Sequence, residues 1–138
     1  MMGQQNDHSK LNGLSHKILK AAFRVHSVVG PGLLESLYQR CLAIEFQHEG
    51  LAYERERPVQ IRYRDTLLDE IAYRFDFVVE NTVIVELKAQ SEILPIHRKQ
   101  LLTYLKISQK PLGLLINFNT ISLRDGIVRM IYDPAFSG

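Results

Sequence analysis

The sequence offers a single cysteine, Cys41, in 138 residues. One thiol excludes an intrachain disulfide framework, a four-cysteine zinc site and a self-contained iron–sulfur cluster, and a reducing, cytoplasmic setting is the simplest expectation. Long apolar runs are missing as well. No stretch approaches the roughly 20 apolar residues that span a bilayer, and the opening MMGQQNDHSK is too polar for a secretory leader, so no membrane association is expected. Charge of one sign is not in excess. The 17 basic and 15 acidic residues leave a net +2, which neither demands nor forbids a polyanionic partner and hands that question to local arrangement. Internal repeats, low-complexity segments and a linker to a second domain are also lacking. What remains is a chain that is 46% hydrophobic and sized for one compact domain over 1–138, with residues 1–9 expected to be flexible.

Apolar residues at spacings of three and four (Leu11, Leu14, Ile18, Leu19, Ala22, Val25, Val29) predict an amphipathic helix from Lys10 to about Val29, stopped by Gly30-Pro31-Gly32. A second helix is expected over about Leu33–Glu49, with Leu34, Leu37, Cys41 and Ile44 on its inner face and Gly50 ending it. The period then drops to two. Tyr53–Glu56 and Val59–Tyr63 read as half-exposed strands, Arg64-Asp65 as a turn, and residues 71–79 and 83–89 as a hairpin across Glu80-Asn81-Thr82. Pro95 suits the first turn of a helix to about Ile107. Two strands, Leu114–Asn117 and about Ile127–Tyr132, close the chain. The expected order is α-α-β-β-β-β-α-β-β, an α/β (mixed α+β) arrangement.

The hairpin carries the chemistry. With its loop centred on Asn81, cross-strand partners sum to 162, which sets Asp76 opposite Glu86 and Arg74 opposite Lys88. Alternation would point Tyr73, Phe75, Phe77 and Val79 one way and Arg74, Asp76 and Val78 the other. Opposed carboxylates with Cβ atoms about 5 Å apart repel, so a strand pair without a use for them should avoid the arrangement. A divalent cation reverses the sign: Asp76, Glu86, the backbone carbonyl of Leu87 and water are hard oxygen donors of the kind Mg²⁺ or Mn²⁺ accepts. Lys88 lies two residues on and so on the same face as Glu86, where its ammonium can meet a water or a phosphate. A solvent-facing charged stripe explains any one of these residues, but residues 83–89 read as a central strand, where charges without partners are costly.

Asp76, nine residues and then Glu86-Leu87-Lys88 resemble the D…(D/E)XK signature of the PD-(D/E)XK nuclease superfamily. Gly32-Leu33-Leu34-Glu35-Ser36-Leu37-Tyr38 fits the GxxExxY motif of one small family within it. The likeness runs from about Leu14 through Ile131, although Phe75 stands where the superfamily's name places a proline. It implies a restriction-endonuclease-like core, a central mixed β-sheet flanked by helices, and metal-dependent hydrolysis of nucleic-acid, chiefly DNA, phosphodiesters. By position it makes Asp76 and Glu86 metal ligands, Glu35 the helical acid that completes the site, and Lys88 the cation that positions the nucleophile. Gln100 and Tyr104 resemble the QxxxY motif of RecB-type nucleases, and with Tyr38 and Lys99 they are expected to border the substrate. Lys99, Thr103, Lys106 and Lys110 form a stripe on that later helix, either a backbone-contacting surface or an ordinary solvated face.

The alternatives left open are a non-catalytic nucleic-acid-binding or regulatory module on the same scaffold, and an enzyme for another phosphate ester. Oligomeric state is equally open, a homodimer included.

Overall fold

The computed structural model describes residues 2–133, apart from the side chains of residues 2–7 and Ala72. Helix α1 (Met2–Val29) starts upstream of the expected Lys10, and the expectation of a flexible 1–9 falls largely on residues whose side chains lie outside those described. Ile18, Ala21, Ala22 and Val25 bury its inner face. It stops because Gly30 and Gly32 take φ of +71° and +100°, conformations that cost a side chain dearly and glycine little. Helix α2 (Glu35–His48) follows, and Gly50 at φ +69° closes it in the left-handed conformation common at helix ends.

Three strands come next, β1 (Tyr53–Tyr63), β2 (Thr66–Val79) and β3 (Val83–Lys88). The two short strands expected before the Arg64-Asp65 turn are one strand. Pro58 sits within it, opposite Arg74, and is tolerated because β1 is an edge strand, where a missing N–H breaks no inner ladder. β2 likewise starts at Thr66, not residue 71, so the observed order is α-α-β-β-β-α-β-β. Helix α3 (Pro95–Ser108) then crosses over to β4 (Leu112–Asn117), and a 3₁₀ turn (Leu123–Gly126) leads to β5 (Ile127–Ile131).

The sheet runs β1-β2-β3-β4-β5, and only β3 and β4 are parallel, as a helical crossover between them requires. Helices α1 and α2 cover one face, against Phe77, Val79, Val83, Val85, Leu87, Leu114 and Ile116. Helix α3 covers the other with Leu101 and Leu105, against Val59, Phe75, Val78, Ile84 and Leu115. The result is a mixed sheet flanked by helices, a restriction-endonuclease-like arrangement with β3 central and buried from Val83 through Leu87. No helix among the described residues is long and apolar enough to cross a membrane.

Helix α2 is rotated from its expected setting. Leu34, Leu37 and Ile44 are exposed, and the stripe that packs inward is Tyr38, Leu42 and Phe46 with Gln39 and Ala43 beside it. Two stripes at helical spacing competed, and the aromatic one wins. Tyr38 stacks on Phe118 at 4.6 Å between ring centroids, and Phe46 meets Phe77 edge-on at 5.0 Å.

Candidate active site

The hairpin register is the one expected: Phe77 pairs with Val85, Val78 with Ile84 and Val79 with Val83. One step further, at Asp76 and Glu86, the regular ladder stops and side chains take over its hydrogen bonds. The Leu87 N–H donates to Asp76 Oδ2 at 2.8 Å, and the Asp76 N–H donates to Glu86 Oε1 at 3.1 Å. The two acids are thus interlocked through each other's strands.

Alternation also breaks here. Phe77 and Val79 pack toward α1 and α2, whereas Tyr73 and Phe75 pack toward α3, so the expectation that all four share a face is wrong. The neighbouring strand reverses at the same level. Arg55 reaches Gln39 of α2, Val59 packs on the α3 side, and Glu56 between them has φ +52°. An unbroken pleat cannot do this. The local kink frees Asp76 to turn its carboxylate into the gap between β2 and β3, in the manner of bulges near functional sites.

The remaining carboxylate oxygens are held too. Gln39, only 6% exposed, donates its amide to Asp76 Oδ1 (2.9 Å) and to Glu56 Oε1 (2.8 Å) while its own oxygen accepts from Arg55 (2.9 Å). The Tyr73 hydroxyl donates to Glu86 Oε2 at 2.9 Å, and Tyr73 itself is stacked on Tyr104 with centroids 4.8 Å apart. Sequence reasoning missed Gln39, Arg55, Glu56 and Tyr73. The signal for Gln39 was present, since it stands four residues after Glu35 on the same helix face. Asn117 was missed as well: buried at the end of β4, it binds the backbone of Gln90 in both directions and so pins the loop that follows Lys88.

Electrostatics follow from burial. Glu86 is 4% exposed, and desolvation first, then the Asp76 carboxylate, push its carboxyl up to about 8, with Tyr73, the Asp76 amide and Lys88 opposing. Asp76 is raised by burial and by Glu56, against the Leu87 N–H, Gln39 and Lys88. Glu35 stands exposed at the start of α2, yet its carboxyl is raised, by partial desolvation and then by Asp76. Glu35, Glu56, Asp76 and Glu86 thus lie close enough to act on one another's charge, with Lys88 opposing the rise at Glu35, Asp76 and Glu86. The Lys88 ammonium has no hydrogen bond or ion pair within reach among the described residues, which leaves it available to a ligand.

Gln100 and Tyr104 do border this site: with Tyr73, Glu86, Lys88, His97, Leu101 and Leu115 they line one small pocket. His97 is there as well, its Nδ1 accepting the Leu94 N–H at 3.0 Å, and partial burial followed by Lys88 lowers its basicity. Lys99 is not among the lining residues; it stands exposed on α3. A larger cavity, about 440 Å³, lies away from these groups beside Lys10, Leu11, Leu14, Thr82 and Pro111, with no carboxylate among its described lining residues.

Tyr38, expected at the substrate, is not among the lining residues. It is fully buried, its hydroxyl donating to the Gly30 carbonyl at 2.6 Å and accepting the Leu33 N–H at 3.1 Å, so it fastens the Gly30-Pro31-Gly32 corner that presents Glu35. Tyr38→Phe is expected to lower stability by about 1–2 kcal/mol, from the lost hydrogen bonds, without changing turnover per folded molecule. Thermal unfolding beside a cleavage assay checks this, and lost activity at unchanged stability would return Tyr38 to the substrate.

Among the described residues, no three or more His, Cys, Asp and Glu side chains are placed to hold a metal ion by themselves. Asp76 and Glu86 are in direct contact through hydrogen bonds, and Glu35 is coupled to them only through its charge. No curated protein and no solved structure matches the chain. The family model of the PD-(D/E)XK nuclease superfamily does, over residues 12–130. That span runs from α1 into β5 and contains the interlocked acids, the lysine beside them and the helix that covers them; the chain belongs to the PD-(D/E)XK nuclease superfamily.

Proposed function

We propose that the protein is a Mg²⁺- or Mn²⁺-dependent nuclease that hydrolyses phosphodiester bonds, of DNA in first place, within the GxxExxY branch of its superfamily. The observation that carries this reading is the interlock of Asp76 and Glu86 where the β2–β3 ladder ends, with the uncommitted Lys88 ammonium alongside. The donor set fits a hard divalent cation. Burial and mutual repulsion raise the carboxyls of Asp76, Glu86 and Glu35, and a dication held among them would offset that repulsion. Asp76 and Glu86 would hold the ion, the Leu87 carbonyl and Glu35 completing its surroundings with water.

A bound Mg²⁺ or Mn²⁺ supplies Lewis-acid charge at the phosphate and brings the pKa of an attacking water toward neutrality. The chain's own groups do the rest. Gln39 and the Leu87 N–H orient Asp76, and Tyr73 and the Asp76 N–H orient Glu86, so an ion would be met by the remaining lone pairs of oxygens that already accept one hydrogen bond each. Lys88 aligns the attacking water and meets the negative charge that develops on the phosphate. Gln100, Tyr104 and His97 line the approach on the α3 side.

The test is cleavage of single-stranded, double-stranded and branched DNA, and of RNA, with Mn²⁺ or Mg²⁺ against a chelator, run beside Glu86→Ala. Metal-dependent cutting that the variant lacks is expected. No cutting of any substrate, or cutting that survives Glu86→Ala, defeats the proposal.

A further inference from the structure

At the far end of α3 from Lys88 and His97, two cations from distant parts of the chain converge on one side-chain oxygen. Arg57 of β1 donates to Asn81 Oδ1 at 3.1 Å, and Lys110, just beyond α3, donates to the same Oδ1 at 2.9 Å and to the Asn81 carbonyl at 2.8 Å. Asn81 lies exposed in the β2–β3 turn with φ +51°. Two like charges sharing one neutral acceptor repel, and an anion is what reconciles them. The nearest counter-charge, Glu54, approaches Arg57 only at 3.7 Å as an exposed neighbour three residues away, a pairing worth little in water. Partial burial and then Arg57 lower the basicity of Lys110, with the exposed Glu54 opposing, so the ammonium feels the guanidinium beside it.

We propose that Arg57 and Lys110, which share the Asn81 oxygen when no ligand is bound, form a second phosphate-binding site for the backbone of a polynucleotide whose scissile phosphate lies at Asp76, Glu86 and Lys88, so that the substrate is a polymer and not a short diester. This rests on the nuclease reading above. Between the two sites, the five residues of the hairpin from Asn81 to Glu86 span about 17 Å at about 3.3 Å per residue. At about 3.4 Å per step of one strand, that distance corresponds to roughly five nucleotides of duplex. The exposed Lys106 stands on the helix between them. A duplex shorter than the gap reaches only one end.

The experiment measures binding of DNA duplexes of 4 base pairs, closed as a hairpin, and of 20 base pairs, at several salt concentrations, in a Glu86→Gln background that does not cut. Arg57→Ala with Lys110→Ala should weaken binding of the 20-mer and lower the slope of log K against log salt by about 1.8, because two phosphates are no longer neutralised, while binding of the 4-mer stays unchanged. Asn81→Ala keeps both cations and removes only their protein acceptor, so it should bind the 20-mer as the parent does. If Asn81→Ala loses as much affinity as the double variant, or the double variant weakens both lengths equally or neither, the second site is overturned. A parent protein that binds no duplex of either length overturns the nuclease reading itself.

Discussion

Glu86→Gln is expected to abolish cleavage and, in the metal-free protein, to raise the melting temperature at pH 8. Both effects have one cause, a carboxylate buried in the central strand. The Glu86 carboxyl ordinarily titrates at 4.5 and is pushed up to about 8 in the folded chain, so the folded state holds a proton that the unfolded state releases. Below pH 4.5 both states are protonated and the full stability is present. Between 4.5 and 8 the unfolded chain binds fewer protons, so stability falls with rising pH, by at most about 1.4 kcal/mol per pH unit. Above 8 the carboxylate is ionised in both states and the loss is complete. Glutamine keeps the geometry, its oxygen accepting the Asp76 N–H and its amide facing Tyr73, without the charge. The variant should therefore gain a few kcal/mol at pH 8 and almost nothing at pH 4.5, as unfolding followed from pH 4 to 9 would reveal. Added Mn²⁺ should raise the melting temperature of the parent at pH 8 and leave the variant where it was. A variant that melts lower than its parent at pH 8 contradicts the electrostatic account.

Lys88→Ala should lower kcat by about 10²- to 10³-fold, the usual loss when a charge aimed at a transition-state oxyanion is removed, with stability changed by less than about 1 kcal/mol. The structural ground is that no hydrogen bond or ion pair within the described residues depends on the ammonium, and the charge it sets against Asp76, Glu86 and Glu35 would be supplied by the saturating dication of the assay. Removing Lys88 therefore leaves no buried partner stranded. Asp76→Ala would also stop cleavage, but it strands the Leu87 N–H and the Gln39 amide, so a fall in stability would accompany it and blur the reading. Lys88 is the cleaner probe. Near-normal turnover by well-folded Lys88→Ala, measured in steady state with saturating Mn²⁺, would remove it from the mechanism.

The part of the site legible in the sequence was the part governed by local rules. The turn at Glu80-Asn81-Thr82 set the register, and that register carried Asp76 and Glu86 into contact. Apolar density marked β3 as central, and Pro95 marked the first turn of α3. What was not legible depends on residues distant in sequence. A period of two assumes an unbroken pleat, so it could not show that Glu56 and Asp76 reverse the faces of β1 and β2 together. A period of 3.6 could not choose between the Leu34/Leu37/Cys41/Ile44 stripe of α2 and the Tyr38/Leu42/Phe46 stripe, because the choice is made by Phe118 and Phe77 on the sheet. Gln39 follows from that choice. Once Tyr38 turns inward, the adjacent amide is carried to Asp76 and Glu56, and a residue type common on exposed helix faces becomes the clamp of a half-buried carboxylate.

Calorimetric titration of Mn²⁺ into the parent and into Asp76→Asn asks directly whether carboxylates from adjoining strands share one cation. One ion per chain in the parent at pH 7.5, with that binding lost in Asp76→Asn, is the predicted result. A parent that takes up no ion, or an Asp76→Asn protein that binds it as tightly as the parent, would contradict the account.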